Sequence, residues 1–230
     1  NEMIGVEALI RWRHPDMGVL SPGVFIHIAE YSGKIEAIGE WLISAVCKQC
    51  SIWDAEGLPS FTVSLNLSRK QLVLPELSEY VKKVLKQWKV RGDRLEFEIT
   101  ESTILDQKDA VYGNLKTLQQ MGVRMAIDDF GTGYSSLVNL KQFPLSRLKI
   151  DKSFVRDVSR DSNDEAIIRA TIALGKSFNL KIIAEGVENE EQREFLLNEG
   201  CNEAQGFLYS DPVAAESISE LLLIRKSVSN

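Results

Sequence analysis

The feature that most constrains this chain is its rhythm. Short apolar runs of four to eight residues alternate with longer amphipathic stretches along its length. Strand candidates fall at 4–11, 62–66, 95–100, 124–128, 147–150, 181–185 and 203–206. Helical stretches lie between them at 35–56, 77–88, 109–121, 164–178 and 190–199, with a last one at 214–225. Several of these stop at a glycine or asparagine, namely Gly57, Gly122, Asn179 and Gly200. That is the expected helix stop, because such residues enter the left-handed conformation most readily. Ser21 followed by Pro22 reads as a cap and first turn for one further helix running to about Ser32. Alternation of this kind implies a parallel sheet covered by helices, either open or closed into a barrel.

The strand period of two separates the barrel from the open sheet. In the first strand Ile4, Val6, Ala8 and Ile10 share one face, and Glu7 and Arg11 share the other. The same parity sets Ser64 and Asn66 against Val63 and Leu65, and Glu98 and Thr100 against Phe97 and Ile99. It leaves Asp128, Lys149, Asp151, Glu185 and Gln205 on the inward side of the later strands. Every strand thus directs a polar or charged group inward. Burying unpaired charges costs several kcal/mol each, roughly, so a dry core is excluded and a central site at the strand ends is expected. The expected fold is therefore α/β, a TIM-like (β/α)8 barrel. Only seven strands can be counted, and 230 residues fall short of the about 250 of a typical barrel. The pattern reads as one domain over 1–230, N-terminally truncated and excised from a longer protein, with its first strand lacking.

Composition narrows the chemistry. With 27 basic against 33 acidic side chains the formal charge is −6, which argues against broad binding to DNA, RNA or anionic membrane. No apolar run approaches the ~20 residues of a membrane span. Three cysteines make no disulfide framework and suggest a reducing compartment. Two histidines cannot form a three-histidine zinc site, so a metal would be held by oxygen, favouring Mg²⁺, Mn²⁺ or Ca²⁺. Glu7, Glu98, Asp128, Asp129 and Glu185, with the amide of Asn66, supply that oxygen. Converging acids repel unless cations intervene. The adjacent pair Asp128–Asp129 suits a bridge between two ions about 3.5–4 Å apart, as used in phosphoryl displacement. Lys149 and Arg11 then offer positive charge to a phosphate. The loop Phe130-Gly131-Thr132-Gly133-Tyr134-Ser135-Ser136 after the diacid suits a positional or gating role.

Other residues carry less. Cys47 and Cys50, at i and i+3 of a helix without a second pair, read as packing. His14 reads as a surface residue, His27 as structural, and Trp41, Trp53 and Trp88 as core or interface anchors. The polar stretch 157–164 reads as a solvated loop before a helix.

Seven short motifs occur in order: Glu7-Ala8-Leu9 with Ile10-Arg11-Trp12, Asn66-Leu67-Ser68, Glu98-Ile99-Thr100-Glu101, Asp128-Asp129-Phe130-Gly131-Thr132-Gly133, Lys149-Ile150-Asp151, Glu185-Gly186-Val187-Glu188 and Gln205-Gly206-Phe207. Together they resemble the EAL-domain family of cyclic di-GMP phosphodiesterases over nearly the whole chain. The resemblance implies hydrolysis of cyclic di-GMP to linear pGpG with two Mg²⁺ or Mn²⁺ ions. It implies Glu7, Asn66, Glu98 and Asp128 as ligands of one ion, and Asp128, Asp129 and Glu185 as ligands of the other. Glu185, Lys149 and Glu7 would be catalytic; Arg11, Gln205 and Asp151 would contact substrate; and Glu101 would steady the loop after the diacid. It also implies a bacterial signalling protein with fused sensory or GGDEF domains. The domain itself would be cytoplasmic, without direct membrane contact. Anchoring of the full chain in the inner membrane and a homodimer near 157–164 are both compatible with it. The competing expectations are a catalytically silent cyclic di-GMP receptor, a dimerisation module, and a one-metal barrel enzyme of enolate type. None of the motif acids is lost, which favours the hydrolase.

Overall fold

The computed structural model describes residues 2–105, 109–132 and 141–222. Its strands are β1 Gly5–Glu7, β2 Trp12–His14, β3 Gly18–Leu20, β4 Thr62–Asn66, β5 Leu95–Thr100, β6 Arg124–Phe130, β7 Arg147–Ile150, β8 Lys181–Ala184 and β9 Glu203–Ala204. The helices are α1 Pro22–Tyr31, α2 Ile35–Ala55, α3 Arg69–Leu72, α4 Leu77–Trp88, α5 Glu101–Leu105, α6 Asp109–Gln120, α7 Lys152–Arg156, α8 Ser162–Ser177 and α9 Glu190–Asn198. The chain forms two compact units, Asn1–Phe97 with Lys108–Val123 and Val213–Asn230, and Glu98–Gln107 with Arg124–Pro212. Strand β5 begins in the first and ends in the second. The main-sheet strands follow sequence order, β1-β4-β5 in the first unit and β5-β6-β7-β8-β9 in the second. Parallel ladders join β1 to β4, β6 to β7, β7 to β8 and β8 to β9. This is the strand–helix order of a TIM-like (β/α)8 barrel with seven strands, as the inward polar parity requires.

In the first unit, Val63, Leu65, Leu95 and Phe97 of β4 and β5 are buried, as are Ile43, Cys47, Cys50 and Trp53 of α2. Burial pushes the Cys47 thiol up to about 12 and the Cys50 thiol up to about 11, so both remain neutral packing groups. Arg94 donates from Nε to the Phe61 carbonyl at 2.7 Å, pairs with Asp54, and lies 5.2 Å from the Phe61 ring centroid. In the second unit, Ile150, Val155, Ile168, Ile172, Ile182, Val187 and Leu196 form the core between the β7–β8 strands and helices α7, α8 and α9.

The structure shortens the first expected strand. Apolar alternation continues to Ile10, but the ladder to β4 covers only Gly5, Val6 and Glu7. The chain then enters an antiparallel hairpin, β2 with β3, in which Trp12 faces Leu20. His14 builds its turn: Nδ1 accepts from the Asp16 and Met17 N–H groups at 3.1 and 3.2 Å. Ser21 precedes Pro22 in extended conformation as expected, yet its side chain makes no cap bond. Helix α8 starts two residues earlier than expected, because Asp161 caps the Asn163 N–H at 2.8 Å. The expected last helix, 214–225, opens as a 3-10 turn at Ala215–Ser217, and its residues 223–225 lie outside the described ones. So do Gly133, Tyr134, Ser135 and Ser136 of the loop after the diacid.

Candidate active site

In the second unit the site is built around one ammonium group. Strand parity turns Leu148 and Ile150 outward to the helices and Lys149 inward, where it is only 2 % exposed. Its Nζ lies 2.7 Å from Glu98 Oε2, 3.2 Å from Asp128 Oδ1 and 2.5 Å from Glu185 Oε1. Glu98 comes from β5, Asp128 from β6, and Glu185 from the residue after β8. Gly186 follows with φ +67, and a Cβ there would sit 2.6 Å from Lys152 Cβ, so the turn that presents Glu185 requires glycine.

The diacid sits on a distortion. The β6–β7 register shifts between Ile127 and Phe130, and Asp129 takes the left-handed φ of 54°. This carries the strand beyond its expected end at Asp128 and turns two successive carboxylates to the same place. Ligand atoms of Asp128, Asp129 and Glu185 all lie within 4.8 Å of one another. Asp129 N–H donates to Asp128 Oδ1 at 3.1 Å. Burial, reinforced by the charges of Asp128 and Asp151 and opposed by Lys149, pushes the Asp129 carboxyl up to about 6. Burial also acts against ionised Asp151. Bonds from the Ser153 hydroxyl and N–H and from Asp129 outweigh it and hold Asp151 below the ordinary carboxylate value. Glu101, 3 % exposed, accepts the Gly131 N–H at 3.1 Å through Oε2. That bond falls at the start of the loop after the diacid.

Glu98, Asp128 and Glu185 thus gather around Lys149, with Asp129 beside Asp128 and Glu185. An oxygen-only donor set with this excess of negative charge fits a hard divalent cation. Gln205 follows β9; its N–H donates to the Ala184 carbonyl at 2.8 Å, and its carbonyl accepts from Val187 at 3.0 Å.

In the first unit, Glu7 and Asn66 are brought together by the β1–β4 ladder. Asn66 Nδ2 donates to Glu7 Oε1 at 2.9 Å. Arg11 lies beyond β1, where its Nη1 donates to the Ile10 carbonyl at 3.0 Å. With Trp12 and Trp41 it borders an apolar cavity of about 550 Å³.

Sequence reasoning missed three polar residues on or beside these strands. Glu96 shares the face of Glu98, is buried, and accepts the Ser64 hydroxyl at 3.3 Å. Arg147 shares the face of Lys149 and meets Glu203 at 2.7 Å. Both could have been found by carrying the same parity two residues back. Ser153 could have been found from the Asp-x-Ser spacing at a helix start.

Comparison with known proteins agrees with this geometry. The family model for the EAL domain matches residues 1–212. The chain belongs to the EAL-domain family. It is 46% identical over 216 residues to the bifunctional diguanylate cyclase/cyclic di-GMP phosphodiesterase MucR of Pseudomonas aeruginosa, covering 94% of this chain and 32% of that protein. It is 41% identical to the signaling protein YkoW of Bacillus subtilis, covering 98% of this chain and 28% of YkoW. The chain therefore spans about a third of the length of these relatives. Among solved structures, the MucR phosphodiesterase in complex with c-di-GMP superposes with a TM-score of 0.90 over 94% of this chain and 88% of that one. The EAL enzyme Bd1971, in a cAMP- and cyclic-di-GMP-bound form, gives a TM-score of 0.90 at 31% identity, covering 95% of this chain and 60% of that one.

Proposed function

We propose that this chain hydrolyses cyclic di-GMP to linear pGpG with two Mg²⁺ or Mn²⁺ ions. The observation that carries the reading is the oxygen cluster of Asp128, Asp129 and Glu185 beside Lys149, in a chain 46% identical to MucR. Such ions, when bound, supply an activated water and offset phosphate charge. Glu7, Asn66, Glu98 and Asp128 would hold one of them, and Asp128, Asp129 and Glu185 would hold the other.

The remaining roles belong to the side chains. Lys149 keeps a positive charge against the phosphate and orients Glu185 and Asp128, to which it is already bonded. Glu185 would accept the proton of the attacking water, and Glu7, the acid of the first motif, would complete the catalytic set. Arg11 binds a phosphate of the substrate, while Gln205 and Asp151 contact the nucleotide. Glu101 keeps the backbone after the diacid in place through Gly131.

The domain is the cytoplasmic catalytic part of a longer bacterial signalling protein. Support comes from relatives three times its length, one of them named as a diguanylate cyclase as well, which suits a fused GGDEF domain. No described helix is long and apolar enough to cross a membrane. Any anchor of the full chain, and self-association through 157–164, would lie outside the catalytic set.

The test is chromatography of cyclic di-GMP incubated with the chain in Mg²⁺ or Mn²⁺. Accumulation of pGpG, stopped by chelator, supports the proposal. Nucleotide that binds but stays cyclic replaces it with the silent receptor.

A further inference from the structure

We infer that the cavity bordered by Arg11, Trp12 and Trp41 is a second ligand site, for a medium-chain alkyl carboxylate that competes with substrate for Arg11. The competition rests on the phosphate role proposed for Arg11; the binding does not. Two helices, joined by a turn at Gly33 with φ +72°, supply most of the wall. Helix α1 contributes Phe25, Ile28 and Ala29, and α2 contributes Ala37, Ile38 and Trp41. Spacings of three and four residues put each set on one face of its helix. Such faces ordinarily close against further apolar surface. Here Phe25 and Ala29 are buried, yet Ile28 is 56 % exposed and Trp41 61 %. Trp12 meets Phe25 edge to face, with ring centroids 5.7 Å apart, a pairing that orients the indole. The volume of about 550 Å³ falls within the roughly 300–1,000 Å³ of small-molecule pockets.

Charge selects the ligand. The chain carries a formal −6, yet the charged residues that line this cavity are Arg11 and Lys34, both basic. Among the described lining residues none is an acid. Apolar walls with cations and no anion suit an alkyl body with one negative head. Arg11 at present gives its Nη1 to the neutral Ile10 carbonyl at 3.0 Å. A carboxylate is the stronger acceptor and can take a guanidinium through two parallel bonds. Arg11 also lies only four residues after Glu7. A carboxylate that holds its guanidinium in the cavity therefore withholds it from a substrate phosphate.

The test is calorimetric titration of decanoate into the chain, alone and within the longer signalling protein proposed above, with decanol as the uncharged control. Decanoate is expected to bind at one equivalent, and decanol at least about tenfold more weakly for want of the charge-assisted bonds. Trp41→Ala, at an exposed position, is expected to weaken decanoate about tenfold with the melting midpoint unchanged. Decanoate is expected to raise the KM for cyclic di-GMP and leave kcat unchanged, and Trp41→Ala to remove most of that rise. Absence of decanoate binding, or equal affinity for decanol, would overturn the inference. Binding to the chain that vanishes in the longer protein would assign the cavity to another part of that protein and overturn it too. Decanoate bound with an unaltered KM would overturn the competition for Arg11. Cyclic di-GMP left intact by the wild-type chain would instead overturn the proposed function, while the titration would still decide the site.

Discussion

Strand β7 carries two inward cations two residues apart, and they live in opposite electrostatic worlds. Arg147, at the strand start, meets Glu203 at 2.7 Å, and Lys181 reaches the same carboxylate at 3.5 Å. Lys149, toward the strand end, stands among Glu98, Asp128 and Glu185, all within 3.2 Å. At one end, two recorded cations share one acid; at the other, three acids share one cation. The first arrangement closes a fold. The second leaves an excess of negative charge, and it lies at the strand ends where barrel enzymes keep their chemistry. The same backbone parity delivers both, so the distinction between structure and function here is one of charge count rather than of position on a face.

Removing the lysine should produce the largest break in that comparison. Lys149→Met strands three clustered carboxylates, and breaking a buried ionic cluster costs about 3–5 kcal/mol. Urea unfolding in chelator should show that loss, and millimolar Mg²⁺ should recover part of it, since divalent ions replace the missing charge. Turnover should fall at least about a thousandfold, equivalent to ~4 kcal/mol of barrel-site stabilisation of the transition state.

Arg147→Met should cost less, about 2–3 kcal/mol, because it removes the nearer cation from Glu203 and leaves Lys181 beside it. Here Mg²⁺ should recover nothing. If it does, the two ends of β7 are not distinct. Glu101→Ala sharpens the comparison at lower cost. It leaves the Gly131 N–H without its charged acceptor, a loss of about 1–3 kcal/mol visible in the melting midpoint. Turnover should fall with it, because Gly131 lies two residues after Asp129.

The smallest effect concerns pH. Burial first, then the neighbouring acids, raises the Asp129 carboxyl from 3.8 to about 6. The folded chain then binds a proton more tightly than the unfolded one, so its stability falls as pH rises from about 4 to about 6. Denaturation midpoints of the metal-free chain across that window should show the decline, and Asp129→Asn should flatten it.

Much of this was legible beforehand, for identifiable reasons. The strands Thr62–Asn66, Leu95–Thr100 and Arg147–Ile150 match their expected bounds because alternation and flanking turns agree there. The inward placing of Glu98, Asp128, Lys149 and Glu185 follows from parity alone. The first strand is shorter than its pattern because Ala8 and Ile10 keep the apolar alternation past the end of the ladder, and the hairpin turn is held by N–H bonds that His14 accepts and no pattern announces. The left-handed turn at Asp129 was not legible either. A bulge is fixed by register against β7, and local sequence carries no record of its partner strand. The pairing of Arg147 with Glu203 spans 56 positions and needed the folded sheet to appear.

The account stands most directly on one comparison of rates. Initial rates of cyclic di-GMP hydrolysis in Mg²⁺ should be measured for Asp128→Ala and Glu203→Ala, each at a temperature where it remains folded. The account predicts that Asp128→Ala loses at least about a thousandfold, while Glu203→Ala keeps a rate near wild type. Equal losses in the two variants, or turnover that survives without Asp128, would contradict it.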